Sequence, residues 1–249
     1  MPKPLDLERM LIIPDAHIPY HDVRAWGLMT KVVRSFKPSH IVVLGDFGDF
    51  YAVSDFNKDP TRETQLDFEI AACNAHLDQL DSLGARKKYF IAGNHSHRLE
   101  RYLQAKAPQL FTMVKLDRLF KLKERGWSYV PYREDVRIGK VYFTHDVGNA
   151  GRTSVYKTLD VYQHSIVTGH THRMAYAVEG NATGQSILSA QFGWLGDVKQ
   201  VDYMHRIKAE KDWALGFGIG YLRPNGVMHL VPVPMVEYAC VVEGKLYQS

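Results

Sequence analysis

The chain has 249 residues, 45% of them apolar, and a formal charge of +4 at neutral pH. That size can bury a full core in one domain, and no apolar run approaches the length that crosses a bilayer. The mild charge admits anionic substrates without marking a nucleic-acid-binding surface, and Cys73 and Cys240 are too few and too far apart for a disulfide framework. Residues 1–10 contain acidic side chains and no continuous apolar stretch, so no signal peptide is expected and the chain reads as cytoplasmic. A first apolar run at 10–14 predicts a buried strand, followed by a helical pattern at 23–36 that Lys37-Pro38 stops. A strand at 41–44, a helix at 64–83 ended by Gly84, a strand at 89–92 and a helix at 97–105 come next. Residues 135–138 and 141–144 read as a hairpin around Gly139-Lys140, then a helix at 152–162 leads into a strand at 165–168. From Met174 onward only strands and turns follow: 174–178, 186–189, 213–222, 227–233 and 236–242, with turns at Glu179-Gly180-Asn181 and Pro224-Asn225-Gly226. The expected architecture is α/β, a four-layer α/β/β/α sandwich of two mixed sheets flanked by helices, in a single domain over 1–249.

Five of these strands are each followed at once by residues that bind metals. They are Asp15-Ala-His17, Gly45-Asp46-Phe47-Gly48-Asp49, Gly93-Asn94-His95, the lone His145, and Gly169-His170-Thr171-His172. Strand C-terminal ends are where α/β sheets place ligand sites. Asp15, His17, Asp46, Asn94, His145, His170 and His172 offer carboxylate and amide oxygen and imidazole nitrogen, with no thiolate. That mixture suits Mn²⁺, Fe²⁺, Co²⁺, Ni²⁺ or Zn²⁺ and disfavours Ca²⁺ or an iron–sulfur cluster. Seven donors exceed one such ion but suit two that share a carboxylate, a pairing that clamps phosphate and activates water.

In this order the motifs resemble those of the calcineurin-like metallophosphoesterase family. The motifs run from Asp15 to His172, and the strands after them resemble the family's closing second sheet. The resemblance implies two divalent ions, Mn²⁺ foremost, with Asp15, His17, Asp46 and His172 on one. Asp46, Asn94, His145 and His170 would hold the other, with Asp46 bridging. His95 would sit off the metals beside the phosphate, and Asp49 would support the site through hydrogen bonds. The implied activity is phosphohydrolase: attack of a metal-bridging hydroxide on an ester of a small phosphorylated substrate, such as a nucleotide.

The pattern departs from the family at several points. Ser96 follows the Asn-His pair, and Phe50-Tyr51 and Ala92 stand where protein phosphatases of the superfamily carry phosphate-clamping arginines. His145 precedes Asp146 rather than glycine. Arg98 and Arg173 are the nearby cations in sequence that can meet a phosphate instead. The cationic segment 98–125 reads first as a solvated helical face, with a phosphate-binding surface as the alternative because it follows His95. The aromatics near Trp194, with Tyr51, Tyr203 and Trp213, read as core rather than base-stacking platforms. His21, His40, His76, His97, His164, His205 and His229 read as ordinary surface or core histidines, with His21 and His97 near motif loops. Two competing functions stand beside the phosphohydrolase. One is a nuclease acting on nucleic acid, which the short closing strands disfavour; the other is a non-catalytic interaction protein on the same fold, which the intact Asn94-His95 pair disfavours. Oligomeric state and monoester against diester are left open by these motifs.

Overall fold

A computed structural model describes residues 7–58, 65–180, 182–200 and 212–249. Thr64, Asn181, Tyr203 and His205 lie outside the described residues. Four parallel strands build most of the first sheet: β1 (Glu8–Ile13), β2 (His40–Leu44), β3 (Lys87–Ile91) and, at one edge, β4 (Trp127–Val130). Strand β10 (Gly216–Leu222) pairs antiparallel with β1, and β11 (Met228–Pro234) with β10, giving the order β11-β10-β1-β2-β3-β4. The second sheet runs β5 (Val136–Ile138), β6 (Val141–Thr144), β7 (Ile166–Thr168), β9 (Ser186–Phe192), β8 (Met174–Gly180), again with parallel and antiparallel pairs.

Alternation along the strands explains the layering. In β1, Met10 and Ile12 face one core and Leu11 and Ile13 another; in β2, Val42 and Leu44 oppose Ile41 and Val43 in the same way. Side chains two residues apart share a face of a strand, so apolar residues at every position describe a sheet buried on both faces. Met10, Ile12, Val42 and Leu44 meet Phe143, Val167 and Phe192 of the second sheet. The opposite set packs against α1 (Val23–Phe36), α2 (Leu66–Asp81) and α3 (Ser96–Lys106) through Met29, Val33, Leu77 and Leu99. A short turn of helix, α4 (Leu116–Leu119), adds Leu116 to that layer, while α5 (Ser154–Tyr162) covers the far face of the second sheet through Val155 and Leu159. The architecture is the four-layer mixed α/β arrangement expected from the sequence.

Three elements differ from expectation. The edge strand β4 carries buried residues only at its ends, Trp127 and Val130, so it shows no alternation to read. Gly180 ends β8 instead of turning the chain, paired with Ser186 across the edge. The strand expected at 236–242 is instead a hairpin of β12 (Ala239–Val242) and β13 (Lys245–Gln248). Glu237 and Tyr238 adopt positive φ and break the run, and Glu243-Gly244, both left-handed, supply the two-residue turn that matches strand twist.

Candidate metal centre

All seven donors, and His95 with them, come from loops at the C-terminal ends of β1, β2, β3, β6 and β7, so both sheets deliver residues to one place. The loops are sharply turned. His17, Asp46, His170 and His172 all have φ between 39° and 68°, a left-handed region that costs a non-glycine residue roughly 1 kcal/mol or more. Four of seven candidate donors held there mark a place where geometry is kept at the expense of backbone comfort. The motif glycines have a steric reason as well. A Cβ on Gly45 would lie 2.1 Å from Nδ1 of His145, and one on Gly93 would lie 2.1 Å from Oδ1 of Asp46. The donors are packed against bare backbone.

Asp15, His17 and His172 form a sealed group, with exposures of 0%, 0% and 5%. Both carboxylate oxygens of Asp15 accept the His170 backbone N–H, at 3.0 and 3.2 Å, which ties the β1 loop to the second sheet. The ring of His172 stacks on Trp194 at 4.8 Å and meets Trp213 edge-on at 4.3 Å. Trp194 is therefore core, as its composition suggested, and also the wall behind a donor. Burial lowers the affinity of both His17 and His172 for a proton, with neighbouring imidazoles adding to the effect, so both rings are neutral near pH 7. Burial also pushes Asp15 up to about 7, with the carboxylate of Asp46 raising it further against the pull of His145.

Asp46, Asn94, His145 and His170 form the second group. Asn94 Oδ1 lies 2.9 Å from both His145 Nε2 and His170 Nδ1, and Asp46 Oδ2 lies 3.3 Å from His145 Nε2. His145 is buried, but Asn94 and His170 are half-exposed. Its lip is lined by Tyr132, 6.3 Å from the His145 ring, whose hydroxyl donates to Asp146 at 3.3 Å. Asp146 also accepts the Gly148 N–H, which shapes the turn where glycine was expected. Neither Tyr132 nor a role for Asp146 was legible from sequence, since Tyr132 belongs to no motif.

The residues fit divalent ions. His17 Nδ1 lies 3.0 Å from Asp49 Oδ2 and donates to it, so its Nε2 carries a bare lone pair. That lone pair faces Nε2 of His172 at 3.1 Å, and Nδ1 of His172 is buried without a partner. Two facing ring nitrogens need a hydrogen or a cation between them. His145 gives its Nδ1 hydrogen to the Leu44 carbonyl, 2.9 Å away, and turns Nε2 toward Asn94 and Asp46. Burial alone would lower His145, yet Asp46 and Asp15 hold it up at about 9. A proton there balances carboxylate charge that the cluster otherwise leaves uncompensated.

His95 lies beside both groups. Its backbone N–H donates to Asp46 Oδ1 at 2.8 Å, and its Nδ1 lies 3.0 Å from the Asp49 carbonyl and 3.2 Å from Asp49 Oδ2. Asp49 thus supports two imidazoles. Burial opposes its ionisation, but His95 and His17 outweigh burial and hold it below the usual carboxylate range. Arg98 donates to the Asp49 carbonyl at 3.0 Å and to Oδ1 at 3.1 Å, with its other terminal nitrogen 3.0 Å from His95 Nε2. Arg173 is placed differently, donating to Asp212 at 2.8 Å and to the Thr171 carbonyl at 3.3 Å. His21 turns to His76, 3.1 Å away, and His97 pairs with Glu100. The cationic segment is mostly a solvated face, with Arg98 drawn inward and Arg125 paired to Asp78 and Asp81.

No family model matches the chain. The Gene 54 proteins of Mycobacterium phage D29 and Mycobacterium phage L5 are 25% and 24% identical to it over 258 residues, each alignment covering 97% of this chain and 99% of the relative. Among solved structures, Vacuolar Protein Sorting 29 from Cryptosporidium parvum aligns with a TM-score of 0.48 at 15% identity, over 96% of this chain and 94% of that one. YfcE, a phosphoesterase from E. coli, aligns at 0.42 and 13% identity, over 90% and 98%. Likeness at that level adds nothing to the strand order and side-chain geometry above.

Buried His and Asp side chains so arranged could hold metal ions: His17, His170 and His172 as neutral rings and Asp46 as a carboxylate are already in the forms that bind them, whereas His145 has a proton to give up. No described helix is long and apolar enough to cross a membrane.

Proposed function

We propose that the chain is a metal-dependent phosphohydrolase of the calcineurin-like metallophosphoesterase kind, acting on an ester of a small phosphorylated substrate such as a nucleotide. The convergence of seven donors from two sheets beside His95 and Arg98 supports this reading. Asp15, His17, Asp46 and His172 would hold one divalent ion, and Asp46, Asn94, His145 and His170 the other. Mn²⁺ suits the donors, as do Fe, Co, Ni and Zn. When bound, such a pair polarises the phosphoryl group and lowers the pKa of water.

The chain's own residues supply the rest. Asp46 acts electrostatically on His17 and His172 in one group and on His145 and His170 in the other, which supports a role shared by both. Asp49 fixes the tautomer of His17 and the orientation of His95. Burial works against a proton on His95, but Asp46 and Asp49 outweigh it and favour the charged ring. In that form Nε2 can give a proton to the leaving oxygen, while Arg98 offsets negative charge on the phosphoryl oxygens. Trp194 and Trp213 exclude water behind His172. The buried thiols Cys73 and Cys240 suit a reducing, cytoplasmic setting.

The test is turnover of aryl phosphate monoesters and diesters with Mn²⁺, Ni²⁺ or Co²⁺ added. Hydrolysis with at least one ion is expected. No hydrolysis of either ester with any ion, at verified occupancy by two ions, overturns the reading.

A further inference from the structure

Phe56 is 72% exposed although it stands next to a cluster of almost fully buried polar groups. Its loop is not slack. The Phe56 backbone N–H donates to Ser54 Oγ at 3.2 Å, and Asp55 is ion-paired to Arg101 of α3. Lys58 folds back to donate to the Ser54 carbonyl at 2.8 Å and to the Tyr51 carbonyl, with its ammonium 4.6 Å from the Tyr51 ring centroid. Contacts on both sides of Phe56 therefore pin a segment whose largest apolar side chain faces water. The guanidinium carbon of Arg98 lies 6.0 Å from the Phe56 ring centroid. The same guanidinium donates to Asp49 and has its other terminal nitrogen 3.0 Å from His95 Nε2, and the Arg98 side chain is 12% exposed. One side chain thus joins the buried cluster to an outward-facing aromatic surface.

We propose that Phe56 is a stacking platform for a nucleobase, set one sugar away from a phosphate held at Arg98, so that the substrate class is a nucleotide. A flat ring exposed beside a cation fits this ligand because every base has a π-face to stack and every nucleotide a charge to pair. A plain alkyl phosphate reaches Arg98 and leaves Phe56 untouched. An aryl phosphate such as phosphotyrosine also pairs a ring with a charge but lacks the sugar and base, so it is the control that separates an aromatic ring from a nucleobase. The proposal rests on the phosphoesterase reading of the same site.

Calorimetric titration separates the two. Nucleoside monophosphate, phosphotyrosine and glycerol phosphate are titrated into wild type, Phe56→Ala and Phe56→Trp, with and without Mn²⁺. Phe56→Ala is expected to weaken nucleotide binding about 10-fold relative to glycerol phosphate, within the range of one stacked base, and Phe56→Trp to keep the wild-type preference. An unchanged preference in Phe56→Ala, an equal loss on nucleotide and glycerol phosphate, or a loss that Phe56→Trp does not restore overturns the platform. A loss as large on phosphotyrosine overturns the nucleotide class. Absence of turnover with every metal ends the phosphoesterase reading alone, since the binding preference is read without catalysis.

Discussion

The donor group around His17 and His172 is sealed behind tryptophan, whereas the group around Asn94 and His170 opens to solvent past Tyr132 and Asp146. The same residue types therefore sit in two different environments. Burial keeps the rings of the sealed group neutral, and Asp49 fixes its His17 from behind. The open group reaches solvent through Asn94 and His170, both only partly buried. The sealed group should exchange ions slowly and the open group quickly, although both belong to one site.

Loss of Asp46 should erase the contrast, because its carboxylate acts on both groups. Asp46→Asn is expected to lower turnover by more than about 10³-fold, beyond the cost of one electrostatic contact, and to reduce bound metal in both groups. Elemental analysis decides it: two tightly held ions in the variant would contradict the shared role.

His95→Ala should leave the contrast intact while disabling the chemistry. A loss of roughly 10²–10⁴-fold in turnover is expected, the range of a positioned acid or base, with both ions retained. Rates on an alkyl phosphate and a nitrophenyl phosphate, in wild type and variant, are the measurement. A poor leaving group needs the proton more, so the alkyl ester should lose more. Equal losses would leave His95 only charge stabilisation, and loss of metal would make it a support for the donors.

Asp49→Asn should act on the sealed group first. Removing the carboxylate behind His17 is expected to cost about 10–100-fold in affinity for one ion and much less for the other. Chelator-release kinetics would show two phases, with the slow phase accelerated. Uniform acceleration of both phases would dissolve the distinction between the groups.

The smallest effect lies just outside both groups. Glu69 is 1% exposed and accepts the backbone N–H groups of Tyr51 and Ala52, at 3.2 and 2.8 Å. Burial pushes its carboxyl from 4.5 up to about 7, against those hydrogen bonds, and Asp49 adds to the rise. The folded chain therefore keeps a proton that the unfolded chain gives up. Glu69's contribution to stability is greatest below pH 4.5 and falls as pH rises toward 7, by about 1–3 kcal/mol. Glu69→Gln should flatten that slope in denaturant titrations across this window; an unchanged slope would place the proton elsewhere.

Strand after strand, the sequence itself determined where the donors would lie: apolar runs such as 41–44 ended at Gly-Asp, and 165–168 at Gly-His, because a strand buried on both faces must be apolar until it leaves the sheet. Helix α1 was equally legible, since Asp22 caps it and Lys37-Pro38 stops it. Local pattern did not show the hairpin at β12 and β13, where two left-handed residues override an apolar run, or the edge strand β4, whose alternation is broken. Within the site, residue type suggested the donors, but only the tertiary structure decided their company. Trp194 stands 22 positions after His172 yet stacks on it, Tyr132 belongs to no motif yet lines the open group, and Arg98 rather than Arg173 reaches His95. Burial, tautomer and exposure are set by contacts between residues far apart in the chain, and a linear pattern records which residues are present but not which surfaces meet.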